Sequence, residues 1–523
     1  MNNNWDIIVV GAGIGGLTAA ATAAISGKKV LLLEKNNTPG GAMTSFVRGR
    51  FEFEASLQAF YGFGIGENAG SARKILDELK VSSAVNWAAI PMAYKIITKS
   101  CDGENINANM PFGIENYIEK MEEYVPGSRP SMERLFALAD DIDDTLEFMK
   151  TADKYDFKTV LTVLKRHLNF FRTAPYSVDD VLNSLGVPPK AQDIFNACWQ
   201  FIGTPADSLS FIHYITIIRS YLIFGAVVPK FRSYELSMAI ASSIERHGGH
   251  IWYNSKADRI LVKNGKAYGV KLSDKTEVYA KNIICGISPS TVFSKMINHN
   301  DVPERDLQLT NAKSLGARGF SVYLALNRSP ETLGITDYSV FLHDTANTRE
   351  QFSLMGNLDT NNTVTAICLN IAVASCSPKG TTLMCLSSLY TSDCFSTVKQ
   401  EDYYNLKYSL AKKMIERYER ELNVNLHDYI EEIEIATPMT FARYISSPQG
   451  TIKGYLSLQW DGVVSRAMMR KDDLSPLGIR FCGGFGEKFS GLCPSMQTGY
   501  NTVLDLLTEE KEKAAKEEAI NEQ

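Results

Sequence analysis

Three glycines and a glutamate, set among short apolar runs, constrain this chain more than any other feature. Asp6 to Val10 reads as a buried strand and Gly11 to Gly16 as a tight turn of pattern GxGxxG. Leu17 to Ser26 reads as a small-residue helix, and Lys29 to Leu33 as a second parallel strand ending at Glu34. The first glycine permits the turn, the second lets a pyrophosphate approach the backbone, and the third allows close helix–strand packing. Glu34 can accept hydrogen bonds from both hydroxyls of an unphosphorylated ribose, whereas its charge repels a 2'-phosphate. The stretch is half of a Rossmann unit, and it favours FAD or NAD over NADP. Pro39-Gly40-Gly41 lies just beyond it, and two further glycines bring backbone close to the diphosphate and flavin end of a long cofactor. FAD is therefore the expected cofactor, held noncovalently because no flavin-linking histidine or cysteine motif is evident.

The rest of the chain must be composite, since 523 residues exceed what one hydrophobic core organises. From about Ala69 the pattern turns helical, through KILDELK, NYIEKMEEYV and Met132 to Phe171. The helix ELSMAIASSIERHGG then ends at Gly248 and Gly249, and a hairpin with Asn264-Gly265 at its turn and the buried strand AKNIICGIS follow. The runs GFSVYLALN, VTAICLNIAV and TTLMCLSSLY read as strands of a separate sheet. The expected division is a discontinuous dinucleotide domain from 1–75, 228–296 and 435–508, and a substrate region from 76–227 and 297–434. Residues 509–523, with six glutamates against three lysines, read as a frayed, solvated helical extension.

A net charge of -5 opposes nonspecific nucleic-acid binding. The nine cysteines form no CxxC pair, and the seven histidines form no ligand set, so no metal site is expected. No apolar run reaches the roughly 20 residues of a membrane span, and the start has no basic flank typical of a signal peptide. The expected location is cytoplasmic, with a peripheral membrane surface as a further option.

The chain resembles the phytoene desaturase-like flavoproteins, a group of carotene desaturases, carotenoid isomerases and retinol saturases lying near the flavin amine oxidases. The resemblance rests on VVGAGIGGLTAAATAAISGKKVLLLEKNNTPGGAMTSFVRGRFEFEAS, on ELSMAIASSIERHGGHIWYNSKADRILVKNGKAYGV and on RFCGGFGEKFSGLCPSMQTGY, and so covers nearly the full length. It implies an α/β fold: a Rossmann-like FAD-binding domain of the amine oxidase/phytoene desaturase type with an inserted α+β substrate domain. It implies that Gly11, Gly13 and Gly16 hold the diphosphate, with Gly40 and Gly41 beside it, and that Glu34 meets the ribose. Ala257 stands where backbone atoms meet adenine, while Gly483, Gly484, Glu487 and Met496 stand where the family covers the flavin. Ala42 replaces a common arginine, Glu54-Ala55-Ser56 replaces Asp-x-Gly, and GEKFSGLCPS replaces a histidine-proline and glycine-rich loop. These departures point toward the isomerase and saturase branch and to a rebuilt flavin-facing surface.

Candidate acids and bases near that surface are Glu54, Glu487 and Lys488, with Cys493 beside them, and His213 from the apolar helix. Each also has a bland reading as a paired charge or a core side chain. Eight aromatic residues fall between Phe195 and Phe231, a density suited either to core or to the wall of an apolar tunnel. Tyr221 to Val228 is the candidate for surface attachment. The expected activity is flavin-dependent oxidation or reduction of carbon–carbon bonds, or isomerisation, in a lipophilic polyene or isoprenoid-like substrate. An amine oxidase-like enzyme and a flavin-binding protein without turnover are the alternatives. A single Rossmann fingerprint names no electron donor or acceptor.

Overall fold

The computed structural model describes residues 4–64, 66, 68–151, 165, 168–457, 475–486 and 491–521. Two sheets organise these residues. In the first, strand Asn4–Val10 pairs in parallel with Val30–Leu33 on one side and with Glu277–Cys285 on the other. His250–Trp252 extends one edge, and the antiparallel strands Lys266–Leu272 and Ala257–Lys263 extend the other. Ile479–Phe481 adds in parallel to the end of Glu277–Cys285. The central strands are apolar throughout because helices cover one face and a separate apolar layer covers the other.

The covering helices are Ile14–Ile25, Arg232–Arg246 and the start of Leu492–Asn521. Apart from Ile14 and Leu17, the buried residues of Ile14–Ile25 are alanine, glycine and threonine, so neighbouring backbones come very close. A Cβ placed on Gly15 would lie 2.5 Å from Gly483 Cα, and one on Gly499 would lie 2.1 Å from Gly15 O. The charged tail continues the last helix to Asn521. Its first turn is held by Lys28–Glu510 at 2.5 Å and Arg480–Glu509 at 2.6 Å, while the side chains further on are exposed.

The second sheet has the order Ile430–Ala436, Arg318–Leu326, Thr382–Tyr390, Val364–Cys368, Ser339–Leu342, Tyr94–Lys99, Asn105–Met110. All its pairs are antiparallel except Ser339–Leu342 with Tyr94–Lys99. Helices Ile114–Tyr124, Arg129–Thr151 and Phe211–Phe224 pack with its near strands into the largest apolar cluster. The fold is thus an α/β Rossmann-like FAD-binding unit joined to an α+β region.

The segment Tyr221 to Val228, the candidate for surface attachment, is largely built into the fold, with Ile223, Phe224 and Gly225 partly exposed. Tyr221, Leu222, Ala226, Val227 and Val228 are all buried. The Tyr221 hydroxyl donates to Ala93 O at 2.6 Å, and Ala226–Pro229 is the central strand of a small sheet with Phe60–Tyr61 and Trp87–Ala89. Among the described residues no helix is long and apolar enough to cross a membrane.

Candidate flavin and substrate site

A cavity of about 620 Å³ runs from the Rossmann turn to the second sheet. At the turn, Gly11 has φ +97° and its N–H donates to Leu33 O at 2.8 Å, which sends the chain sharply off the strand. The Glu34 carboxylate is buried, with Oε2 accepting from Ala12 N–H and Oε1 from Asn36 N–H, each at 2.8 Å. Each oxygen keeps accepting capacity for a ribose hydroxyl. Gly40 N–H donates to Ala12 O at 2.7 Å, so the Pro39-Gly40-Gly41 turn is stitched to the first glycine turn.

The glycines divide into two kinds. A Cβ on Gly16 would stand 2.0 Å from Gly11 O, so that glycine serves packing. A Cβ on Gly13 meets nothing within 4 Å, and Gly13 lines the cavity, so a side chain there would project into the space a diphosphate needs. Gly11, Gly40, Gly41, Ala257, Gly483 and Gly484 also line the cavity. Met496 does not; its side chain is buried in the helical layer, and its neighbour Ser495 reaches the wall instead. The Leu492–Asn521 helix starts at this wall and directs its positive dipole end toward it. These residues fit an extended dinucleotide such as FAD, whose flavin would supply hydride exchange with a carbon centre.

The opposite wall comes from residues far apart in sequence: Phe201, Ile217, Tyr221, Tyr323, Phe341 and Ile367. Of the eight aromatics between Phe195 and Phe231, Phe201 and Tyr221 line the cavity. Phe195, Trp199, Phe211 and Tyr214 are core, and Phe231 is exposed. Tyr323 and Phe341 lie on the second sheet, and nothing local in their strands distinguishes them from other core positions. Burial pushes the Tyr221 and Tyr323 phenols well above their ordinary range, so they stay neutral.

Glu54 lines the cavity, yet its carboxylate is engaged by four donors. Oε1 accepts from Ser233 Oγ–H at 2.7 Å, Leu57 N–H at 3.0 Å and Ser56 N–H at 3.3 Å, and Oε2 accepts from Ser233 N–H at 2.7 Å. Burial raises its proton affinity, while these hydrogen bonds oppose the rise. Its evident work is to hold the 55–59 loop, every residue of which lines the cavity, against the start of the Arg232–Arg246 helix. The Glu-Ala-Ser departure from Asp-x-Gly therefore has a structural rationale in the carboxylate that fixes this loop.

His213 is buried on the Phe211–Phe224 helix with Nδ1 3.3 Å from Ser457 Oγ, and it does not line the cavity. Glu487 and Lys488 lie outside the described residues. Cys493 lines the cavity, but burial raises its thiol and Sγ–H donates to Tyr61 O at 3.1 Å, which suits an inert space-filler.

Two features escape a local reading of the sequence. At the nucleotide end, Lys35 Nζ donates to Arg443 O at 3.1 Å and Ser446 Oγ at 2.6 Å, bringing the end of helix Pro438–Ile445 over the turn. At the aromatic end stands Lys453, whose Nζ donates to Phe201 O at 2.9 Å.

The model of the NAD(P)-binding Rossmann-like domain matches residues 9–79. Prolycopene isomerase from Daucus carota is 23% identical over 495 residues, covering 88% of this chain and 75% of its own. An all-trans-retinol 13,14-reductase from Danio rerio is 26% identical over 482 residues, covering 86% and 77%. Among solved structures, an oxidoreductase from Methanosarcina mazei superposes with a TM-score of 0.64 at 15% identity, covering 96% of this chain and all of its own. The chain thus carries the Rossmann-like fold of FAD-binding oxidoreductases and is similar, at low identity, to proteins of the carotenoid isomerase and retinol reductase branch.

Proposed function

We propose that the protein uses noncovalent FAD to desaturate, saturate or isomerise carbon–carbon bonds of a lipophilic, polyene-like substrate. The observation that carries this reading is the single cavity joining the glycine cradle to a wall of Phe201, Tyr221, Tyr323, Phe341 and Ile367. Such a wall excludes water from the carbon that faces the flavin and lets an apolar chain bind by desolvation, at roughly 1.5–3 kcal/mol per buried side-chain equivalent before ordering costs. The 55–59 loop, fixed by Glu54, and the start of the Leu492–Asn521 helix orient the two partners; no protein acid or base is required for hydride exchange itself.

The test is anaerobic single-turnover spectroscopy of the purified protein with matched lipophilic polyenes of increasing length and, in parallel, a small hydrophilic amine. The flavin is expected to respond to the polyenes, with length dependence, and denaturation is expected to release FAD. A productive reaction with the amine, while every lipid fails to bind, replaces this reading with an amine oxidase.

A further inference from the structure

Lys453 is out of keeping with the wall it occupies. Its stem lies in a notch between two glycine backbones: a Cβ on Gly316 would meet Lys453 Cβ at 2.9 Å, and one on Gly203 would meet its Cγ at 3.6 Å. Its ammonium reaches Phe201 O, and the Phe201 ring packs edge-on against Tyr221 and Phe341, each at 5.7 Å. An ammonium has three N–H donors, and one is accounted for. No carboxylate pairs with it among the described residues, and burial alone pulls it down to about 8. The cavity's other lysines, Lys35, Lys256 and Lys295, stand beside dinucleotide-binding elements. Next to Phe201, Gln200 also lines the cavity, its amide nitrogen held 3.1 Å from His343 Nε2 and 3.4 Å from Gln351 Oε1. The aromatic end therefore carries a fixed polar corner with one positive charge that no carboxylate among the described residues balances.

We propose that Lys453 is a specificity residue that receives a carboxylate at one end of the lipophilic substrate, making the substrate class a lipophilic carboxylic acid rather than a hydrocarbon. The inference rests on the lipophilic-substrate reading above. A carboxylate restores the missing counter-charge and takes the remaining N–H donors, in surroundings where a charge-assisted hydrogen bond is strong. It also sets the register of a chain that apolar contacts alone would let slide, fixing which carbon faces the flavin.

The probes are parinaric acid, a fluorescent conjugated polyene acid, and its methyl ester, titrated into the FAD-loaded protein. Wild type is expected to bind the acid about tenfold or more tighter than the ester. Lys453→Met is expected to erase that preference while ester binding and FAD content persist, and Lys453→Arg to retain part of it. Equal binding of acid and ester by wild type overturns the inference while leaving the lipophilic reading standing. So does an acid preference that survives in Lys453→Met. Failure of both probes to bind wild type overturns the lipophilic reading and this inference with it. The wild-type comparison needs no variant to fold.

Discussion

Ser233 meets Glu54 twice, its backbone N–H donating to one carboxylate oxygen and its hydroxyl to the other, both at 2.7 Å. Removing the carboxylate leaves buried donors on Ser233, Ser56 and Leu57 without an acceptor. Glu54→Ala is expected to cost about 2–3 kcal/mol and to weaken FAD binding through the loosened 55–59 loop; Glu54→Gln should cost less. Denaturant midpoints and flavin titrations check both. Because burial raises the folded-state pKa of Glu54, the folded protein holds that proton more tightly than the unfolded chain. Wild-type stability relative to Glu54→Gln should therefore decline as pH rises from the unfolded carboxyl pKa through the folded one, then level off.

Gly13 and Gly16 should fail in different ways. Gly13→Ala leaves the apoprotein's stability nearly intact, because its Cβ meets open space, but lowers FAD affinity about tenfold to a hundredfold. Gly16→Ala drives a methyl into Gly11 O and should cost about 3 kcal/mol or more of stability. Thermal melts of apoprotein set beside flavin content separate the two. Equal effects on both readouts would refute the division of labour.

The Rossmann turn was legible because its chemistry is local: Gly11, Gly13, Gly16 and Glu34 carry their geometry in spacing alone. Lys453 was not, since its partner Phe201 is 252 positions away and a lysine in a loop ordinarily reads as solvated. Glu54 was noticed as a departure, but its donor Ser233 lies 179 positions on, so its anchoring role could not be seen. The run VTAICLNIAV reads as one strand, yet the strand stops at Cys368 and Leu369–Ala372 turns helical. Asn370 explains the break: its Oδ1 accepts from Leu383 N–H at 2.7 Å and its Nδ2 donates to Ser377 Oγ at 2.8 Å, drawing the chain out of the ladder. The dinucleotide section is expected to resume near Val228; there Ala226–Pro229 belongs to the small sheet, and the helix Arg232–Arg246 that follows packs on the first sheet.

Stability should also respond to Lys453 in a pH-dependent way. Its ammonium titrates at about 8 when folded against an ordinary 10.5, so the penalty of holding the charge is fully present below about 8 and is relieved as pH rises toward the unfolded value. In the absence of ligand, Lys453→Met is expected to gain roughly 1–3 kcal/mol on wild type at neutral pH, an advantage that shrinks above that point. Chemical denaturation across alkaline pH measures the trend, and a flat difference would contradict it.

The C-terminal helix should divide sharply by function. Truncation from Lys511 onward is expected to leave the melting temperature unchanged, because the side chains of residues 511–520 are exposed. Removing Glu509 and Glu510 as well deletes two partly exposed ion pairs, each contributing at most about 1 kcal/mol. Melting curves of the two truncations, compared at low and high salt, test this.

A ribosome making this chain finishes the Gly11–Gly16 turn long before it reaches Gly483, yet the two parts of the cradle touch backbone to backbone at Gly15 and Gly483. Strand Asn4–Val10 must likewise wait for Glu277–Cys285 before its second edge is paired. Such long-range closure is slow and leaves apolar strand edges exposed meanwhile. Cofactor capture thus waits until Gly483 has been made, and a chain broken upstream of it offers a protease an open half-cradle instead of a loaded enzyme.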